Sequence, residues 1–177
     1  MHKVPSTLLC LCGVFGLSAA SCSGGTSTPG DAEFVFDTGT YSVDPGAEKY
    51  MCFTKTVAED TWVDRFTHGN EATVHHMVLV HTLAPEPAAP FECPTFFKTT
   101  WIPLFATGTA DAELAVPKGS SFFLPKGTQL LMQLHLLNAS DRPTKGSLSV
   151  NMRKVAKTAS EAGIYGFGTT IDNVVAG

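Results

Sequence analysis

Short apolar or alternating segments, separated by clusters of Gly, Pro, Asn and Asp, make up the chain from residue 33 onward, and none keeps the apolar period of a long helix. Several of these segments are rich in β-branched or aromatic residues and are predicted to be strands: 50–57, 74–81, 128–137, 147–153 and 163–170. Many short strands with turn signals between them predict an all-β fold, an antiparallel β-sandwich or jelly roll, as a single domain over residues 33–177.

The predicted strand 128–137 differs from the others because it is apolar on both faces, which predicts a central position in its sheet. The strand 147–153 instead alternates between apolar and polar residues, as expected for one buried and one solvated face. Gln133 and His135 share the odd-numbered face of strand 128–137. A polar pair in so apolar a strand needs hydrogen bonds or a ligand.

The first 32 residues are predicted to be targeting sequence and tether. Met1-His2-Lys3 followed by a largely apolar stretch at 8–20 is typical of a secretory signal peptide, and the stretch is shorter than the roughly 20 residues that span a bilayer. Small residues directly before Cys22 resemble a bacterial lipobox, which predicts removal of residues 1–21 and a lipid on Cys22. Residues 22–32 then form a flexible tether rich in Ser, Gly, Thr and Pro. The alternative is ordinary cleavage after Ala20.

The expected location is therefore the bacterial cell envelope, where the exported domain is attached to the membrane through its lipid. Acidic residues outnumber Lys and Arg by 16 to 12, and no basic patch is evident, so nucleic acid is not an expected partner. Cys10 and Cys12 leave with the signal peptide and Cys22 carries the lipid. The remaining pair, Cys52 and Cys93, is expected to form a disulfide in this oxidising compartment.

The histidines are the chain's main candidates for chemistry. His75 and His76 are adjacent, and His135 lies in the central strand, so that three imidazoles from two strands are available to a borderline metal such as copper or zinc. Neighbouring residues on a regular strand point to opposite faces. A shared ion therefore requires a twist or a bulge at the pair, or two rings that reach round with different nitrogens. The alternative is that each histidine is a hydrogen-bonded structural residue.

Three further residues are predicted not to bind metal. His81 lies six residues beyond His75, roughly 20 Å along an extended strand, and is expected to be structural or exposed. His68 sits in a Gly-Asn turn, within the break His68-Gly69-Asn70, and is expected to be solvated. Met77 is opposite in parity to His76 and is expected in the core rather than as a thioether ligand.

Five short sequence blocks, in order and at similar spacing, resemble the N-terminal domain of the copper type II, ascorbate-dependent monooxygenases, the family of peptidylglycine α-hydroxylating monooxygenase and dopamine β-monooxygenase. The blocks are Tyr50-Met51-Cys52, Val74-His75-His76-Met77-Val78-Leu79, Phe91-Glu92-Cys93, Leu114-Ala115-Val116-Pro117-Lys118-Gly119 and Gln133-Leu134-His135. The resemblance implies an antiparallel jelly roll, one copper ion held by His75, His76 and His135, ascorbate as the reductant, and a disulfide between Cys52 and Cys93.

The chain also departs from that family. Family monooxygenases carry a second jelly-roll domain, whose His-x-His pair and distant methionine hold the oxygen-activating copper, and no His-x-His occurs in this sequence. Two functions are therefore expected, at nearly equal weight. The chain is the electron-transfer half of a hydroxylase that a second copper-domain chain completes, or it is a cell-surface lipoprotein that binds or delivers copper without catalysis. A domain that keeps the fold without metal ranks well behind both.

Overall fold

The computed structural model describes residues 33–69, 71–93 and 98–164 of the chain. In these ranges the secondary structure consists of strands alone: β1 (Glu33–Asp37), β2 (Tyr41–Val43), β3 (Glu48–Thr56), β4 (Thr61–His68), β5 (Val74–Thr82), β6 (Phe91–Glu92), β7 (Trp101–Thr107), β8 (Ala112–Ala115), β9 (Ser120–Leu124), β10 (Gln129–Leu137), β11 (Thr144–Gly146), β12 (Ser149–Val155) and β13 (Ser160–Glu161). No helix in the described part has the length and hydropathy needed to cross a membrane. The predicted signal peptide, the predicted tether and Cys22 lie outside the described residues.

Two sheets hold the strands of five or more residues. Sheet I has the order β1-β12-β4-β9, with β8 paired to β4 and β13 paired in parallel to β9; sheet II has the order β6-β3-β10-β5-β7. A separate short ladder joins β2 and β11. Eight strands have five or more residues. When these eight alone are counted from 1 to 8 in chain order, their order is 1-8-3-6 in sheet I and 2-7-4-5 in sheet II. This order is that of a jelly roll, and it confirms the predicted antiparallel β-sandwich.

Strand β10 is the central strand of sheet II, as its apolar composition predicts, because it lies between β3 and β5. Its even-numbered leucines and Met132 are buried in the main core, where they meet apolar side chains from sheet I such as Phe66 and Phe122. Leu131 points to the opposite face, into a smaller cluster with Cys52, Val78, Val80, Cys93 and Trp101. Sheet II is therefore buried on both faces around β10.

The segment that follows β5 covers the outer face of sheet II and is held there by polar contacts. The Glu86 carboxylate, almost fully buried, accepts hydrogen bonds from Lys98 Nζ and Trp101 Nε1, both at 2.9 Å. Gln129 Nε2 donates to the Glu86 carbonyl at 2.9 Å, while the Glu86 amide donates to Gln129 Oε1 at 2.8 Å. The predicted disulfide between Cys52 and Cys93 is present and closes the same segment against β3.

Four predicted strands match β3, β5, β10 and β12 to within about two residues at each end. The fifth prediction, 163–170, differs where it can be compared: Gly163 and Ile164 follow β13 without strand pairing, and the rest lies outside the described residues. Thr61–His68 forms a strand that periodicity did not predict. It contains a register shift opposite Arg153 and Lys154, which breaks the alternation of its apolar residues.

The prediction that His68 is solvated is wrong. The strand β4 continues through His68, which is 5% exposed and packs on the inner side of the strand at the same parity as Phe66. The turn begins only at Gly69. Burial lowers the pKa of the His68 imidazole, although the carbonyls of Ala110 and Gly69 and the charge of Asp111 act in the opposite direction.

We expect this buried histidine to make the fold sensitive to mild acid. Because the folded pKa is lower than the unfolded value of about 6.5, the unfolded state binds more protons below that pH, and the free energy of unfolding falls there. Above about pH 6.5 the neutral, buried His68 makes its full contribution to the free energy of unfolding. Chemical denaturation of the wild type and of His68→Gln at several pH values measures this contribution. The variant's stability should fall less steeply on acidification, and equal slopes would contradict the assignment.

Candidate metal centre

A β-bulge in β5 brings His75 and His76 to the same side of sheet II. In the antiparallel pairing of β10 with β5, His135 lies opposite His76, while the next residue, Leu136, lies opposite Val74. His75 is therefore the extra residue of the bulge, and two β5 residues oppose one residue of β10 at this point. The structure thus contains the backbone irregularity that a shared site requires.

The three rings meet through the same ring atom. His135 Nδ1 lies 3.2 Å from His75 Nδ1 and 3.2 Å from His76 Nδ1. The ring centroids of His75 and His135 are 5.1 Å apart, and those of His76 and His135 are 4.7 Å apart. Among the described residues, these histidines are the group of His, Cys, Asp and Glu whose ligand atoms all lie within 4.8 Å of one another.

The spacing of these nitrogens fits a metal ion. Two imidazole nitrogens that each bind an ion at about 2.0–2.1 Å, with a tetrahedral angle between them, lie about 3.3 Å apart. The observed 3.2 Å matches this value. A neutral imidazole offers one lone pair, and converging lone pairs repel one another unless a proton or a cation lies between them. The cluster can therefore hold a metal ion through three neutral nitrogen ligands.

The buried end of the site is fixed by neighbouring residues of β3. His135 pairs directly with Tyr50 across the ladder, and their rings stack with centroids 4.4 Å apart and planes 7° apart. Tyr50 also contacts the His76 ring, at a centroid distance of 5.9 Å. On the other edge of the His135 ring, Nε2 donates to Glu48 Oε1 at 2.7 Å. His135 is 7% exposed, and its ring is held by Tyr50 on one face and by Glu48 at one edge.

The segment leading into the bulge is also anchored. Thr73 is buried, and its hydroxyl lies 3.2 Å from the Tyr41 hydroxyl and donates to Glu71 Oε1 at 3.3 Å. The Thr73 carbonyl accepts from the Leu137 amide at 2.9 Å, which ties this segment to the end of β10. Burial raises the pKa of Tyr41 to about 12, so this phenol stays protonated and neutral at ordinary pH.

The site is graded from buried to open. His135 is buried, His76 is intermediate, and His75 is exposed to solvent. Burial is the main reason that the pKa of His76 is lowered, and the charges of His135 and His75 lower it further. A lowered pKa keeps this imidazole in the neutral form that binds metal. Water, a reductant or another protein can approach the site from the His75 side.

The other candidates from the sequence lie elsewhere. His81 pairs with Leu130 in β10 and with Ile102 in β7, five residues along β5 from His76, and is not part of the cluster. Burial lowers its pKa. Met77 is fully buried in the main core, as predicted. Sequence reasoning missed the contact that Glu48 makes with His135, because it depends on the register between β3 and β10.

No protein-family model matches the chain. No curated protein matches it significantly.

Proposed function

We propose that the domain binds one copper ion through His75, His76 and His135 and acts as the electron-transfer half of an ascorbate-dependent copper monooxygenase. The observation that carries the proposal is the convergence of three Nδ1 atoms across the bulge, at a spacing that fits a bound ion. This donor set accepts zinc as well as copper. Copper is favoured because it binds nitrogen ligands most tightly among the divalent first-row metals and because the sequence blocks resemble a copper family.

Three neutral nitrogens with one open position suit a redox role. Bound copper would supply one-electron chemistry here, since Cu(I) accepts three nitrogen ligands and Cu(II) accepts a further ligand, and solvent reaches the site at His75. Tyr50 and Glu48 hold His135, and β10 lies between β3 and β5, so this ligand has little freedom to move between the two oxidation states. A lipid on Cys22 would keep the exported domain at the membrane. Ascorbate or a comparable one-electron donor would reach the metal site from the exposed side of His75.

A single copper cannot complete the reaction of that family. Hydroxylation converts R–H, O2, two electrons and two protons into R–OH and water, and one copper delivers one electron per cycle. Among the described residues there is no second group of three His, Cys, Asp or Glu with ligand atoms this close. We therefore propose that a second copper-domain chain would bind O2 and the substrate, supply one electron from its own reduced copper and receive the other electron from this domain.

The isolated copper-loaded protein is accordingly expected to be reduced by ascorbate and reoxidised slowly by O2 without hydroxylating a substrate. The loss and return of the Cu(II) electron paramagnetic resonance signal follows reduction and reoxidation, while product analysis follows hydroxylation. Stoichiometric hydroxylated product from the isolated protein would contradict the division of work between two chains. Absence of copper binding would contradict the proposal as a whole.

Copper delivery at the cell surface is the second candidate, and the exposure of His75 favours it, since an exposed ligand can be replaced by a ligand of an acceptor protein. The two functions differ in what leaves the site. A delivery protein releases Cu(I) rapidly to a competing chelator of comparable affinity, whereas an electron-transfer protein retains copper through repeated reduction and reoxidation. Copper content after several such cycles in the presence of the chelator distinguishes them.

A further inference from the structure

The pairing of β3 with β10 places a carboxylate behind one of the three histidines. His135 is directly opposite Tyr50 in this antiparallel ladder, and Leu137 is opposite Glu48. Glu48 is therefore the diagonal neighbour of His135 on the same face of the sheet. Long side chains can span the distance between diagonal neighbours. Its Oε1 accepts a hydrogen bond from His135 Nε2 at 2.7 Å, and 62% of the Glu48 side chain remains exposed.

This hydrogen bond determines which nitrogen of His135 carries the proton. A carboxylate accepts and does not donate, so the Nε2 atom facing Glu48 must be the N–H of the neutral ring. The lone pair is then on Nδ1, the atom that lies 3.2 Å from both other Nδ1 atoms. Glu48 approaches the opposite edge of the ring from the cluster and does not belong to the ligand group. It acts on the site through His135.

We propose, on the basis of the proposed copper site, that Glu48 is a positioning residue that holds His135 as the Nε2–H tautomer and strengthens its Nδ1 as a ligand. A carboxylate behind a ligating imidazole fixes the ring orientation and increases its basicity. Tyr50 stacking restrains the plane of the ring whether or not Glu48 is present, so the distinct contribution of Glu48 is the tautomer and the electron density on Nδ1. More electron density favours Cu(II) over Cu(I).

Removal of such a carboxylate typically weakens metal binding about 10- to 100-fold. Because Glu48 is mostly exposed, we expect the low end of this range, about tenfold for Cu(II) and less for Cu(I). Each tenfold difference between the two oxidation states raises the one-electron reduction potential by about 59 mV. The site should therefore become both weaker for Cu(II) and easier to reduce when Glu48 is replaced.

The test compares Glu48→Gln and Glu48→Ala with Glu113→Gln in the full chain. Glu113 is an exposed glutamate of β8, which pairs with β4 in sheet I, so its replacement removes the same charge from the sheet that does not carry His75, His76 and His135. Competition with a chelator measures Cu(II) affinity, and a redox titration measures the Cu(II)/Cu(I) potential. Both Glu48 variants should bind Cu(II) about tenfold more weakly than Glu113→Gln and show a higher potential. Equal affinities and potentials in all variants would overturn the proposal.

A measurement without copper separates this inference from the proposed function. At a pH well above the ordinary histidine pKa, the nitrogen-15 shifts of His135 in the metal-free protein report its tautomer. The wild type should show Nε2–H, and Glu48→Ala should show a mixture. That result in a protein that binds no copper would refute the proposed function and leave the positioning role intact. Copper binding with a tautomer indifferent to Glu48 would refute the positioning role alone.

Discussion

Replacing His135 with Ala should abolish tight copper binding. His135 Nδ1 is the atom that lies within 3.2 Å of both partner nitrogens, so its loss leaves two ligands that the bulge alone holds together. Structural zinc sites with four ligands have apparent binding free energies of about 10–16 kcal/mol, which corresponds to on the order of 3 kcal/mol for each ligand. We therefore expect at least a hundredfold loss of affinity, on the order of 3 kcal/mol at 1.4 kcal/mol per tenfold.

The matched control is His81→Ala, which removes an imidazole from the same strand as His75 and His76 but outside the cluster. Its copper content after equilibration and desalting should equal that of the wild type, at one ion per chain. Metal analysis and chelator competition on the three proteins measure the difference. Equal copper in the wild type and His135→Ala would show that the ion binds elsewhere.

Loss of the disulfide should destabilise the fold by about 4 kcal/mol, because the bond joins residues 41 positions apart and restricts the unfolded chain. That amount is a large part of the 5–15 kcal/mol by which domains are ordinarily stable. Cys52→Ala/Cys93→Ala is the preferred variant, since both cysteines are buried and a serine would place a hydroxyl in an apolar cluster. Denaturant unfolding of oxidised wild type, reduced wild type and the double variant measures the change.

The disulfide and the metal site are linked through Tyr50. The Cys93 amide donates to the Tyr50 carbonyl at 2.9 Å, and Cys52 lies two residues from Tyr50 on the same face of β3. In the folded double variant, copper affinity should fall less than in His135→Ala, because the pairing of β3 with β10 still holds Tyr50 opposite His135.

For the stability prediction, an undiminished free energy of unfolding in the double variant would mean that the disulfide does not constrain the unfolded chain.

Much of the fold could be predicted because its signals are local. The two-sided apolar composition around Leu131 and Leu134 identifies a central strand, and the chain forms that strand between β3 and β5. The strand containing Val63 and Phe66 was missed because a register shift interrupts the alternation of polar and apolar residues. Asp64 lies at this shift, and its carboxylate accepts two hydrogen bonds from Arg153. Such compensation depends on a residue far away in the chain.

The candidate site likewise has features that local sequence indicates and features that depend on residues far apart in the chain. Residue type and strand position made His75, His76 and His135 candidates, the family resemblance singled them out as one ligand set, and strand geometry required a twist, a bulge or rings that reach round. The contact between Glu48 and His135 could not be predicted, because a shift of one residue in the register of β3 would turn Glu48 to the other face. His68 was misassigned for a related reason: the Gly-Asn pair marks a turn but does not say on which residue the preceding strand ends.

The bulge at His75 has a consequence for protein design. One inserted residue turns an ordinary antiparallel strand pair into a three-point chelate, since it supplies a second donor on a face where a regular strand supplies one for every two residues. The requirement is small: a His-His dipeptide at the bulge, a histidine opposite it on the neighbouring strand, and a carboxylate on the diagonal. A two-sheet scaffold without any metal site could be given one by inserting a histidine and substituting the other histidine of the pair, the residue opposite it and the residue on the diagonal, with the rest of each strand left unchanged.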